Sequence, residues 1–382
     1  MFNPNRPYNE LPLLPPKADI ETKAILKACV SARAAITELR LAGELIPDQT
    51  VLINAIPILE AKDSSEIENI VTTNDALFRQ ASLRDSEGDP AAKEALRYRT
   101  ALYQSFTSIK DRPLTARSAI EICRTITGIE LDVRATPGTT LRNSFTREVI
   151  YTPPDGQEHL RQLLSNWERF LNDESDLDPI VRMAVVHYQF EAIHPFPDGN
   201  GRTGRVLNLL TLYKAGLLDL PTLYLSRFIL RTKADYYRLL LNVTVAQEWE
   251  PWILYVLQAV TETSRWTNGK VRAIGHLMDA TTVHVRSQAS KIYSRELIDA
   301  IFAQQYIRIG NLVGQNIAKR ETASLYLKAL VNIGVLEEEK RGRDKVFIHR
   351  KYIDLLSSDD HEFAAYPAQA IFPQRPKRKA SA

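Results

Sequence analysis

His194-Pro195-Phe196-Pro197-Asp198-Gly199-Asn200-Gly201-Arg202-Thr203-Gly204-Arg205 decides how this chain is read. The stretch holds a titratable base (His194), an acid (Asp198), three glycines (Gly199, Gly201, Gly204) and two arginines (Arg202, Arg205). The apolar-periodic run before it, 180–193, reads as a buried helix, and 206–218 reads as another. The quoted residues therefore form the turn between two helices, with the glycines opening the second. A helix N-terminus presents unpaired N–H groups and the positive end of its dipole, so such a start is an anion cradle. Arg202 and Arg205, three apart, share a helix face, and guanidinium forks match phosphate oxygens. A carboxylate beside them suits Mg²⁺ held between protein and phosphates. The expectation is a nucleotide polyphosphate site with a histidine base at its mouth.

Working outward, 382 residues allow two or three domains, and 44% hydrophobic with 25% charged residues is an ordinary globular composition. A net charge of +3 implies no global field for nucleic acid. Cys29 and Cys123 lie far apart without ligand spacing, which predicts reduced core thiols. No apolar run reaches the length of a membrane span, and the N-terminus lacks a signal-peptide core, so a cytoplasmic address is expected. His159, His276, His284, His349 and His361 are scattered, so no zinc site is expected; His187, in the helix before the turn, is read as structural.

Residues 1–17 are Pro-rich and read as an extended arm, with Leu11, Leu13 and Leu14 available to pack on the body. Helical periodicity starts at Ile20. A second stretch covers roughly 49–77, interrupted near Asp63-Ser64. After a break at 84–90, helices are expected over about 91–109 and 115–126. Residues 128–154 change character, and Phe145 to Tyr151 reads as a hairpin or flap. Helices resume at about 157–171, 180–193, 201–218, 226–241 and 249–268. A second module begins near Gly269, with helices at about 271–288, 291–304, 309–316 and 322–333, then a charged hairpin from Glu337 to His349. Short helices followed by a two-stranded basic turn are the layout of a winged helix. Residues 290–351 hold twelve Lys/Arg and seven Asp/Glu, and the last ten residues add four more cations.

The 194–205 run matches the core motif of the Fic (Fic/Doc) family, H-x-F-x-(D/E)-G-N-G-R-x-x-R, at every defined position. Phe190-Glu191-Ala192-Ile193 resembles the family's approach helix, Ile150 to Pro154 the end of its flap, and Asp235 to Leu240 the helix that closes over adenine. Ser64-Ser65-Glu66-Ile67-Glu68-Asn69 is similar to the family's inhibitory motif, S/T-x-x-x-E-G/N. The resemblance spans about residues 20–355. It implies a mainly α fold: an N-terminal helical region (1–110) with an inhibitory helix around 60–80, a Fic helical-bundle core (111–268) with a small β-hairpin flap, a winged helix (269–355) and a basic tail (356–382).

The activity implied is Mg²⁺-dependent transfer of AMP from ATP to a Ser, Thr or Tyr hydroxyl of a protein, itself included. His194 would take the hydroxyl proton, and Asp198 would hold Mg²⁺. Backbone N–H groups of Gly199 to Gly201 with the Asn200 amide would surround the α-phosphate. Arg202 and Arg205 would grip the β- and γ-phosphates, Thr203 and Gly204 would line the channel, and Tyr237 with Tyr236 would flank adenine. Phe196 is expected to anchor the loop in the core. Arg231-Thr232-Lys233 stands where relatives often carry an Asn-Lys pair. Ser64 and Glu68, one helical turn apart, face the same way, so Glu68 would capture Arg205 and misalign ATP. The flap would pair with a target's backbone, and a homodimer is implied. Rival readings are removal of AMP, transfer of UMP, phosphate or phosphocholine, and a nucleotide-sensing regulator that binds DNA or protein through the winged helix.

Overall fold

The computed structural model of the chain describes residues 2–82, 89–110, 112–143, 146–341 and 344–367. Phe145 of the expected flap, Arg343 of the expected wing and the basic residues after 367 lie outside these ranges. Described residues of the N-terminal region form α1 (Lys23–Glu44), α2 (Thr50–Ile53), α3 (Ile56–Ile67), α4 (Asn74–Ser82), α5 (Pro90–Ser108) and α6 (Ala116–Thr127). The stretch expected over 49–77 is thus three helices, and its main break falls at 68–73, not at Asp63-Ser64. Helix α3 ends because Asn69 turns left-handed (φ 66°). The Asn69 N–H then donates to Glu66 O and the Ile70 N–H to Ser65 O, both at 3.0 Å. That bonding satisfies the orphan carbonyls of the last turn.

The flap is β1 (Leu141–Arg142) paired antiparallel with β2 (Val149–Tyr151). The central bundle follows as α7 (Gln157–Leu171), α8 (Pro179–Ile193), α9 (Asn200–Lys214), α10 (Leu225–Arg231), α11 (Lys233–Ala246) and α12 (Trp249–Gln288). Helix α8 is mostly apolar, and nearly all of it is buried, Arg182, His187 and Gln189 included. Asp178 caps it, accepting from the Ile180 N–H, with Pro179 in the first turn where no N–H is missed. The single helix expected over 226–241 is split at Thr232, which ends α10 and begins α11; its hydroxyl donates back to Phe228 O and meets Tyr255 Oη.

Helix α12 runs 40 residues without interruption, so the boundary expected near Gly269 falls inside a helix. Gly269 is there for room: a Cβ would lie 2.5 Å from His361 Nε2. The rest is α13 (Arg295–Ala303), β3 (Tyr306–Ile307), α14 (Ile309–Gly314), α15 (Arg320–Asn332), β4 (Glu337–Arg341), β5 (Asp344–Ile348) and α16 (Arg350–Ser357). Its strands form one antiparallel sheet in the order β3-β5-β4. Residues 358–366, expected as the start of a free tail, fold back instead. Lys270 donates to the carbonyls of Leu355, Ser358 and Asp360, and Tyr366 meets the Thr281 hydroxyl. The module also docks on the N-terminal helices: Asn54 Nδ2 donates to Ala303 O at 3.0 Å, and Tyr306 and Arg350 both engage Asp75 of α4. Of the arm, Leu11 and Leu14 are buried while Leu13 is exposed. No helix among the described residues is long and apolar enough to cross a membrane.

Candidate active site

The site sits where α8 ends and α9 begins. His194 caps α8 in a left-handed conformation (φ 49°, ψ 58°), and its N–H donates to Phe190 O. Pro195 cannot continue the helix. Phe196 is fully buried, edge-on to Phe190, so it anchors the loop as expected. Asn200 closes the turn on itself: its Oδ1 accepts from the Phe196 N–H and its Nδ2 donates to Phe196 O, both at 2.8 Å. Gly199 (φ 81°) sits against α6, where a Cβ would come 3.0 Å from Thr127 and 3.1 Å from the Cys123 sulfur. The Cys123 thiol donates to Asp198 O at 3.2 Å. The loop is therefore fixed from below, and the first N–H groups of α9 stay free of intrahelical acceptors.

Burial, helped by the nearby Arg134 guanidinium, pulls the His194 imidazole down to about 4. The ring is neutral near pH 7, and its Nδ1 has no hydrogen-bond partner. Asp198 points outward with its side chain 74% exposed; Oδ1 accepts from the Gly199 N–H and Oδ2 lies 3.6 Å from Arg202. Arg202 is buried and donates to Glu94 of α5 at 2.6 Å.

Arg205 is held from α3. Its Nε donates to Ser64 Oγ (2.8 Å), and its Nη2 donates to Ser64 O (2.8 Å) and Glu68 Oε1 (2.9 Å). Burial works against the Arg205 charge, but Glu68 and neighbouring groups more than offset it and the guanidinium stays protonated. The Glu68 carboxylate also covers the start of α9, since a Cβ on Gly201 would lie 2.3 Å from Glu68 Oε1. Glu68 thus lies on Arg205, with Ser64 beside it on the same guanidinium, although Glu68 caps α3 and is not inside it. Helix α3 is pinned by two further acids. Glu60 accepts from the Ser226 N–H and hydroxyl and from Tyr98 Oη, and Asp63 accepts from Tyr224 Oη.

Several expected site residues lie elsewhere. Tyr236 is buried with its hydroxyl on His187 Nε2 at 2.8 Å, which leaves it no face for adenine. Tyr237, its edge-on neighbour, is 46% exposed and remains available. Thr203 is fully buried, and Gly204 packs on α8, where a Cβ would lie 2.5 Å from Glu191 Oε1. Neither lines an open channel. The Asn200 amide serves the loop's own backbone, so the cradle's donors are backbone N–H groups. Sequence reasoning missed Arg134, Glu94 and Glu191. Glu191 is half-buried with its Oε1 enclosed and unpaired, and desolvation lifts the carboxyl to about 8. Glu191 lies in the quoted approach helix but no role was read for it; Arg134 and Glu94 belong to no contiguous motif, and only the fold brings them to the loop.

Three family models match successive parts of the chain: the Fic/DOC family N-terminal model over residues 26–107, the Fic/DOC family model over 113–212, and the C-terminal domain of SoFic-like protein adenylyltransferases over 277–352. The chain carries Fic/DOC family domains, followed by a SoFic-like C-terminal domain. The second model contains the whole 194–205 loop, and the first contains Ser64 and Glu68. Among curated relatives, a protein adenylyltransferase fic-1 of Caenorhabditis briggsae is 30% identical over 142 residues, 36% of this chain and 27% of the relative. A protein adenylyltransferase Fic of Drosophila sechellia is 43% identical over 77 residues, 19% of this chain and 16% of the relative. The aligned region therefore spans little more than a quarter of those relatives at most. A solved Fic family protein from Desulfovibrio desulfuricans G20 superposes with a TM-score of 0.56 at 20% identity, covering 88% of this chain and 98% of that one. The mainly helical Fic fold extends over both sides of the loop.

Proposed function

We propose that this chain transfers AMP from ATP to a hydroxyl side chain of a protein, itself included, and that the conformation described is the self-inhibited one. The observation that carries the reading is the double hold on Arg205: a cation placed beside an anion cradle is occupied by the protein's own Glu68 and Ser64. In the active arrangement Glu68 withdraws and opens one side of Arg205, which Ser64 still orients, to the triphosphate tail; Arg202 joins it only where the phosphates displace Glu94. Backbone N–H groups at the start of α9 stabilise the charge on the phosphate under attack. His194, neutral beforehand, accepts the hydroxyl proton; the arriving polyanion raises its affinity for that proton toward the working range.

Asp198 fits a magnesium ion, because it is an outward-facing carboxylate at the mouth of the cradle with its second oxygen free of any short bond. Mg²⁺ typically binds through one or two carboxylates plus phosphate oxygens and water. It would supply charge neutralisation on the phosphates. The exposed Ile150 on the flap and its short edge, unpaired among the described residues, suit backbone pairing with a target segment. The C-terminal module has the helix and strand order of a winged helix. Its outer strand carries Glu337 and Glu338, paired with Arg350 and Lys345, beside the exposed Lys340, so neither sign of charge dominates that edge.

The test uses wild type, Glu68→Gly and His194→Ala with Mg²⁺ and ATP labelled at the α- or the γ-phosphate. Strong α-label transfer by Glu68→Gly, weak transfer by wild type and none by His194→Ala are expected. Transfer of γ-label, or equal labelling by the first two proteins, overturns the reading.

A further inference from the structure

We propose that Arg134 is a positioning residue that joins the flap to the loop bearing His194 and sets where the imidazole stands. Arg134 lies between β1 and α6, outside every motif, and is only 5% exposed. Its backbone N–H donates to Pro195 O at 2.9 Å. Its Nε donates to His194 O at 2.8 Å, and Nη2 donates to Ile193 O at 3.4 Å and to Pro154 O just beyond the flap. One side chain thus spans two pieces of backbone. The carbonyls at the end of α8 lack helical partners and carry the negative end of its dipole, so a buried cation is favoured there. They are also the carbonyls on either side of the left-handed turn at His194, whose geometry aims the ring.

The segment Arg134 reaches across to is itself fixed. Tyr151 Oη donates to Ala192 O at 2.8 Å, and the arm grips the next residues through Tyr8 N–H to Thr152 O (3.0 Å) and Asn9 to Asp155. Arg134 is the cross-brace that makes flap and loop one body. Lysine cannot substitute, because one ammonium lacks the planar fork that meets separate acceptors.

The inference rests on the transferase reading for its kinetic consequence, though not for its geometry, and the test separates the two. In the full chain carrying Glu68→Gly, Arg134→Lys and Arg134→Gln are compared with Arg134 intact. The readouts are kcat, KM for ATP, and the NMR resonances of the His194 ring, assigned against His194→Ala. Misplacing a reacting group by about 1 Å costs roughly a hundredfold, so kcat falls by about that factor in both variants while KM for ATP stays within about threefold. The His194 resonances move in both. Unmoved resonances with kcat unchanged overturn the proposal, as does loss of folding in both variants, which would make Arg134 a stability residue only. If Glu68→Gly with Arg134 intact transfers nothing, the transferase reading fails, and the resonance shift alone decides the role of Arg134.

Discussion

Two helix ends meet in this site, and they are built to different standards. The start of α9 is over-determined: Gly199 rests on α6, Asn200 clasps Phe196, and Arg134 braces the carbonyl of His194. The end of α3 presents one carboxylate, from a Glu68 side chain about one-third exposed, on a turn that depends on a left-handed asparagine. Yet the body of α3 is anchored as firmly as the loop, through the buried Glu60 and Asp63. On the proposed reading, the difference separates lock from scaffold. Moving the Glu68 side chain and the turn that carries it then releases one of the three hydrogen bonds between Arg205 and α3, and the two to Ser64 stay with the anchored helix.

That contrast can be broken in measurable ways. The largest effect is expected from Glu68→Gly, which removes the lock and leaves the loop whole. Coupling between sites commonly amounts to about 5- to 150-fold, and self-labelling should rise by a factor in that range. A gain below twofold would mean the loop itself, and not Glu68, limits activity. Asn69→Val comes next. A β-branched residue in a left-handed turn costs roughly 1–2 kcal/mol, so the helix end frays and labelling rises a few-fold, less than for Glu68→Gly. Asn69→Gly, which accepts that turn freely, should match wild type.

Glu60→Gln tests the opposite side of the comparison. The amide oxygen can keep the Ser226 N–H, but its NH2 then faces the Ser226 and Tyr98 hydroxyls, which must turn from donors into acceptors, at a cost of about 1 kcal/mol. A lower melting temperature with unchanged labelling is expected; increased labelling would show that the body of α3, not its end, is the moving part. The same carboxylate makes a pH prediction. Burial lifts Glu60 to about 7 in the folded chain, above its ordinary range. The folded state therefore binds more protons than the unfolded one between about 4.5 and 7, so the stability Glu60 contributes falls as pH rises through that window. Glu60→Gln should flatten that slope in thermal melts.

The smallest expected change is at His194. Its ring should titrate near 4 by NMR, and slightly lower in Glu68→Gly, where a nearby negative charge has gone. A midpoint at the ordinary histidine value in wild type would mean that the ring is solvated and the loop looser than described.

Much of this was legible because chemistry and sequence coincide in the loop: the residues that do the work are neighbours in the chain. Ser64 and Glu68 were legible from their resemblance to the inhibitory motif, but the turn that presents Glu68 was not, because a helix that stops at Asn69 and one that continues share the same periodicity. Gly269 misled for a related reason. Glycine reads as a stop signal, whereas here it makes space for a ring 92 positions away. Thr232 hid a break, because its hydroxyl satisfies the carbonyl left by α10. Arg134 was invisible, since its acceptors are carbonyls of residues distant in sequence. The Asn200 amide was assigned to substrate when its bonds belong to the turn.

The unbroken α12 has a practical consequence for anyone dissecting this molecule. A fragment beginning at residue 269 would start midway along a rod about 60 Å long, stripping partners from Val271, Ile274 and Leu277, which are completely enclosed in the intact chain. Torque applied at the distal end of that rod reaches the bundle without a joint to absorb it.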